Sequence, residues 1–116
     1  MPKNKKDRIV ESVCLALKQS GTINDFRYDH FRDDEAVVPP FAVYRRVAPD
    51  NFSADGIVYH HGDNVDLELY AEDPESMAEL MAEVEHLLDE ADLFYRISAD
   101  TVYIDTEELY ESLYEV

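Results

Sequence analysis

One cysteine, three glycines and no apolar run of membrane length are the first facts of this sequence. The lone Cys14 excludes a disulfide framework within the chain, and its neighbours Val13, Leu15 and Leu17 predict a buried thiol in a reducing cell. A membrane helix needs about 20 consecutive apolar residues. None occurs here, and the basic residues 1–8 lead into a charged amphipathic stretch and not into the apolar core of a signal peptide. The expectation is a chain made and used in cytoplasm. There is no Gly-rich phosphate loop, nucleophile elbow, Cys/His cluster or basic aromatic patch. The adjacent His60 and His61 would point to opposite faces of a strand and chelate one ion poorly, while His30 and His86 stand alone. Carboxylates are so numerous that any two resemble an acid/base pair, which means nothing without a pocket. The sequence therefore predicts neither an enzyme nor a metal or cofactor site.

Bases are missing from one half of the chain. The formal net charge is -17, yet over residues 1–62 bases and acids are equal in number, and from Asp63 onward Arg96 is the only base. Length bounds the architecture: 116 residues with 46% hydrophobic composition make one domain, residues 1–116, large enough to close a core without staples.

The hydrophobic pattern gives the elements. Ile9, Val10, Val13 and Leu17 form the inner stripe of a helix over residues 5–19, with Ala16 beside it, and Ser20-Gly21 ends it. Residues 24–31 read as a short aromatic edge strand, residues 32–35 as a polar loop, and Pro39-Pro40 as an extended lead into a strand over 41–47. A turn at 48–51 and a connection over 52–56 lead to a strand beginning at 57–61. Val65, Leu67 and Leu69 then alternate with Asp66, Glu68 and Tyr70, as expected of a strand with one dry and one wet face. The period changes next. Met77, Leu80, Met81, Val84, Leu87, Leu88 and Ala91 recur at three and four, with Asp73 as N-cap, Pro74 in the first helical position and Glu75 at the positive end of the dipole. A hairpin is expected from residues 93–97 and 101–105 across 98–100; over 109–116, Leu109 and Leu113 with Tyr110 and Tyr114 fit a helical stripe, but Tyr110, Ser112, Tyr114 and Val116 also fit one face of a strand, which is the favoured reading. The sum is an α/β (α+β) fold: a small antiparallel or mixed sheet packed with two main helices.

The second helix carries Glu75, Glu79 and Glu83 at intervals of four, with Glu90 further along and no lysine to answer them. Like pairs at that spacing cost about 0.2–0.5 kcal/mol each, whereas each large apolar side chain gains about 1.5–3 kcal/mol on burial, so the helix forms despite them. Three explanations fit the acidic face: a solvated, solubilising surface; a surface that repels nucleic acid, since basic contacts gain affinity by releasing counterions from phosphates; or a mimic of DNA that occupies an enzyme's phosphate sites.

The string PPFAVYRR, then DNFSADGIVYHH, then VDLELYAEDPESMAELMAEVEHLLDEADLFYR resembles the tail terminator, or tail completion, proteins of long-tailed bacteriophages and prophages. The likeness covers roughly residues 39–116, and the order of its pieces carries it. It departs from the family in a more basic first helix and a nearly lysine-free second half. The resemblance implies a structural virion protein: a sixfold ring of small α/β subunits that stops tail-tube growth and presents a surface to the head connector. The implied partners are the chain itself as a homohexamer, the tail tube protein and head connector proteins, with DNA passing through without specific binding. The implied location is the virion tail, after assembly in host cytoplasm. A head-closure protein and an acidic DNA-mimic inhibitor are the alternatives. In the ring reading, Arg45, Arg46, Asp50, Asn51, Phe52, Asp55 and Tyr59 are candidates for contact with a neighbour or the tube, and Glu75, Glu79, Glu83 and Glu90 for a face that repels DNA. A ring contact joins two different patches of one subunit, so the neutral half would meet the neighbour's acidic half.

Overall fold

A computed structural model describes residues 5–47 and 64–116, in the order α1 (Lys5–Gln19), β1 (Asp25–Tyr28), β2 (Phe41–Val47), β3 (Asn64–Ala71), α2 (Pro74–Glu90), β4 (Arg96–Ile104) and β5 (Leu109–Glu115). The strand start expected over residues 57–61 lies outside the described residues. The five strands form one mixed sheet in the order β1-β2-β3-β5-β4, with β1 parallel to β2 and every other pairing antiparallel.

Both helices cover the same face of that sheet. Val10, Val13, Cys14 and Leu17 of α1 and Met77, Leu80, Met81, Val84 and Leu88 of α2 close on Ala42, Tyr44, Val65, Leu67, Leu69, Ala71 and Tyr114. Strand β3 buries every second residue, as its sequence predicts. Its other face is half-buried instead of fully wet, because the segment joining β1 to β2 folds back across it. A parallel pair needs a crossover of about a dozen residues, and here residues 29–40 supply it without a helix. Phe31 packs edge-on against Phe41 with ring centroids 5.3 Å apart. Arg27 stands 5.0 Å above the Phe31 ring and reaches Glu35 at 2.6 Å. Asn24 donates its side-chain amide to the Val38 carbonyl at 2.8 Å.

The helix ends follow the chemistry of the chain. Gly21 adopts φ +82, so Thr22 N–H reaches the Leu17 carbonyl at 2.9 Å and Gly21 N–H the Lys18 carbonyl at 3.1 Å, satisfying carbonyls the helix leaves open. Asp73 caps α2 by accepting from Ser76 N–H at 2.7 Å, with Pro74 next. The far end of α2 closes the same way as α1, with Leu93 N–H on the Leu88 carbonyl, but the left-handed position is Asp92 at φ 59.

Two expectations are corrected. The edge strand expected over 24–31 is confined to Asp25–Tyr28, because Asp29 turns the chain at φ 72. The hairpin expected within 93–105 is one strand: Ser98, Ala99 and Asp100 lie inside β4, absorbed by register shifts between Ile97 and Ala99 and between Ala99 and Val102. Thr101, at φ 55, gives its N–H to the Ser112 hydroxyl at 2.9 Å. The real turn follows Ile104, whose carbonyl accepts from Glu107 and Glu108 N–H.

Candidate functional site

The strand order sorts the chain's charge. α1, β1 and β2, with most of the bases, lie at one side of the sheet, and β3, α2, β5 and β4, with Arg96 as the single base, lie at the other. Three surfaces result: the helix-free sheet face, the solvent side of α2, and the β4 flank.

On the helix-free face, Arg45 of β2 reaches Glu68 of β3 at 2.7 Å and Asp29 at 3.5 Å. Glu68 is only 13% exposed. Its second oxygen lies 2.9 Å from the Tyr70 hydroxyl, which also lies 3.0 Å from Glu111 of β5. One hydroxyl proton serves two carboxylates, so the arrangement holds an additional proton readily. Burial pushes the Glu68 carboxyl above its usual range, with Tyr70 and Arg45 offsetting this and the nearby Glu111 and Asp66 adding to it. Asp66, opposite Glu115 in the register, is also raised, by burial and then by Glu115. Burial and the two carboxylates raise the Tyr70 phenol as well. Above this cluster, the 29–40 segment and β2 and β3 frame a cleft of about 590 Å³ lined by Phe31, Phe41, Val43, Arg45, Glu68 and Tyr70.

Arg46 does not join its neighbour. It sits on the opposite face of β2, with its backbone N–H on the Tyr28 hydroxyl at 3.1 Å and its Nε 3.5 Å from the buried Asp7 carboxylate. The two arginines are thus separate: Arg45 is held within the helix-free face, and Arg46 is tied to β1 and α1. Asp50, Asn51, Phe52, Asp55 and Tyr59, with His60 and His61, lie outside the described residues.

On α2, Glu75, Glu79, Glu83 and Glu90 are all exposed on the side away from the core. Along this row His86 lies 3.4 Å from Glu90, an ion pair only when the imidazole is protonated. The β4 flank is different in kind. Phe94 is 94% exposed, and Ile97, Val102 and Tyr103 are 39%, 49% and 49% exposed. The register puts Ile97 and Tyr103 on the helix-covered side, opposite Tyr114 and Tyr110, and Val102 on the other side, opposite Glu111, and this irregular alternation is why the sequence alone does not mark the flank. The signal that was available is Phe94, an aromatic between Leu93 and Tyr95, both of which pack on the core.

Among the described residues no group of three or more His, Cys, Asp and Glu side chains is arranged to hold a metal ion, and no described helix is long and apolar enough to cross a membrane. Cys14 is buried, and burial followed by the charge of Glu11 pushes its thiol up to about 12, which leaves little thiolate at neutral pH. Compared with known protein families, characterised proteins and solved structures, the chain matches none.

Proposed function

We propose that this protein is an assembly subunit that forms a ring on the end of a phage tail tube and makes the tail side of the head–tail junction. The observation that carries the reading is the α2 face: Glu75, Glu79, Glu83 and Glu90 are exposed in one row on a helix that contains no lysine or arginine. Carboxylates so placed repel phosphate and let a duplex slide past without sticking. The sequence resemblance to tail terminators supplies the setting, and a small mixed sheet with two helices is compatible with it. Within this reading the chain binds itself, the tube protein and a head connector, and carries out no chemistry on a substrate.

An acidic inhibitor that mimics DNA would use the same row of carboxylates. The β4 flank speaks for assembly, since a soluble mimic has no use for a nearly bare Phe94 just before a strand that also exposes Ile97, Val102 and Tyr103. The test is to add the purified protein to polymerising tube protein. The proposal expects density at one end of each tube, arrested growth, and no retention on duplex DNA at low salt. Free elongation, together with competition against DNA for a nuclease or repressor, would overturn it in favour of the mimic.

A further inference from the structure

The two edges of the sheet carry apolar residues at matching positions. Following the register across the strands, Tyr28 lies opposite Tyr44, Tyr44 opposite Leu67, Leu67 opposite Tyr114, and Tyr114 opposite Ile97. Tyr28 on one edge and Ile97 on the other are therefore at the same level and on the same, helix-covered side of the sheet. The helices stop short of both: Tyr28 is 47% exposed and Ile97 39%. Three residues along, and so on the helix-free side, Asp25 is in register with Phe41, Tyr70, Glu111 and Val102. Close to that end of β1, Val38 is 65% exposed on the segment pinned by Asn24.

We infer that the β4 flank of one subunit docks on the β1 flank of a second copy, setting Ile97 against Tyr28 and Val102 beside Val38. This rests on the ring reading for one premise, that copies are related by rotation so that levels are preserved. Charge selects the pairing. Two β4 flanks face to face would bring two acidic halves together, whereas the β1 flank belongs to the half in which bases and acids are equal in number. Direction agrees as well. β1 runs parallel to β2 and β4 antiparallel to it, so the two edges meet antiparallel. The register shifts between Ile97 and Val102 break the outer edge of β4, as edge strands do when continuous main-chain pairing is avoided. Side chains would therefore make the join, in a heterologous contact that closes as a ring.

The test mixes single-cysteine variants Tyr28→Cys and Ile97→Cys, each with Cys14→Ala, treats them with a short bis-maleimide, and maps the links by peptide mass spectrometry. Val38→Cys with Val102→Cys is the second pair, on side chains outside the core. The inference expects covalent dimers several-fold more abundant in each mixture than in either variant alone. It also expects Phe94→Glu and Ile97→Glu to lower the native mass while the circular dichroism of the fold is kept. Links of 97 to 97 or 28 to 28 in place of 28 to 97 overturn it, as does a chain that stays monomeric at the highest concentrations reached and gives no 28–97 link on tube ends. Rings that form without the 28–97 and 38–102 links overturn this contact alone and leave the ring reading standing; loss of tube-end binding with the links intact does the reverse.

Discussion

At the scale of single residues, two left-handed positions close the two helices, and they are not equivalent. Gly21 occupies its conformation without a Cβ, and nothing lies within 4 Å of where one would be. Gly21→Ala is therefore a pure backbone penalty, expected at about 1 kcal/mol and read as a lower denaturant midpoint at unchanged slope. Asp92 does the same work at φ 59 and places a negative charge at the negative end of α2. Asp92→Gly should stabilise the fold by about 0.5 kcal/mol, the strain and charge relief being partly offset by unfolded-state entropy. The proton-sharing cluster makes a third case. The Glu68 carboxyl is raised, so its contribution to stability is present below the ordinary carboxylate range and is lost as pH rises through its folded value. Glu111→Gln removes one of the charges that raises it and still offers Tyr70 an acceptor. The carboxyl resonance of Glu68 should titrate above the ordinary value of about 4.3 in the parent and move down in Glu111→Gln. The variant should be at least as stable as the parent at neutral pH, with any difference closing as pH falls below that range. A parent Glu68 that titrates in the ordinary range would sink this reading of the cluster.

At the scale of elements, the acidic helix separates stability from function. Glu79→Lys with Glu83→Lys turns the like pair 75/79 into an opposite one and leaves a like pair at 79/83, such a pair costing about 0.2–0.5 kcal/mol, so thermal stability should hold or rise slightly. If the face exists to repel duplex DNA, the same variant should be retained on DNA at low salt where the parent is not. Retention unchanged from the parent would return the face to plain solubility. The core side of α2 behaves oppositely: Leu80 is 1% exposed, and Leu80→Ala should cost about 2–5 kcal/mol by calorimetry or denaturant titration. Most of this was legible in the sequence, because α1, β3 and α2 announce themselves by period and cap: Ser20-Gly21, Val65-Leu67-Leu69, and Asp73-Pro74 with its apolar stripe. What escaped did so for physical reasons. β4 hides two register shifts, so its alternation fails and Ser98-Ala99-Asp100 imitates a turn. The true turn after Ile104 contains no glycine, asparagine or proline and uses Glu108 at φ 55 instead. Arg45 and Arg46 look like one patch in sequence, but neighbours on a strand face opposite ways, so Glu68 and Asp29 take one and Asp7 and Tyr28 the other.

At the scale of the whole molecule, the strand order β1-β2-β3-β5-β4 turns a charge asymmetry along the chain into one across the subunit. A domain with unlike edges, a row of exposed carboxylates on one helix and an apolar flank on the far strand is suited to head-to-tail contact with copies of itself. Replacing Arg45 and Arg46 together with glutamate would be a poor test of that contact. Arg45→Glu opposes Glu68 and Asp29 within the same subunit, so the double variant should lose stability before any effect on assembly is read. The most direct test is the native mass by light scattering at low and high salt, with negative-stain images of the same samples and of samples seeded with tail tubes. Rings of about six 13.4 kDa subunits, free or on tube ends, are the expected result; a compact twofold dimer that forms no ring in either setting would overturn the ring assembly.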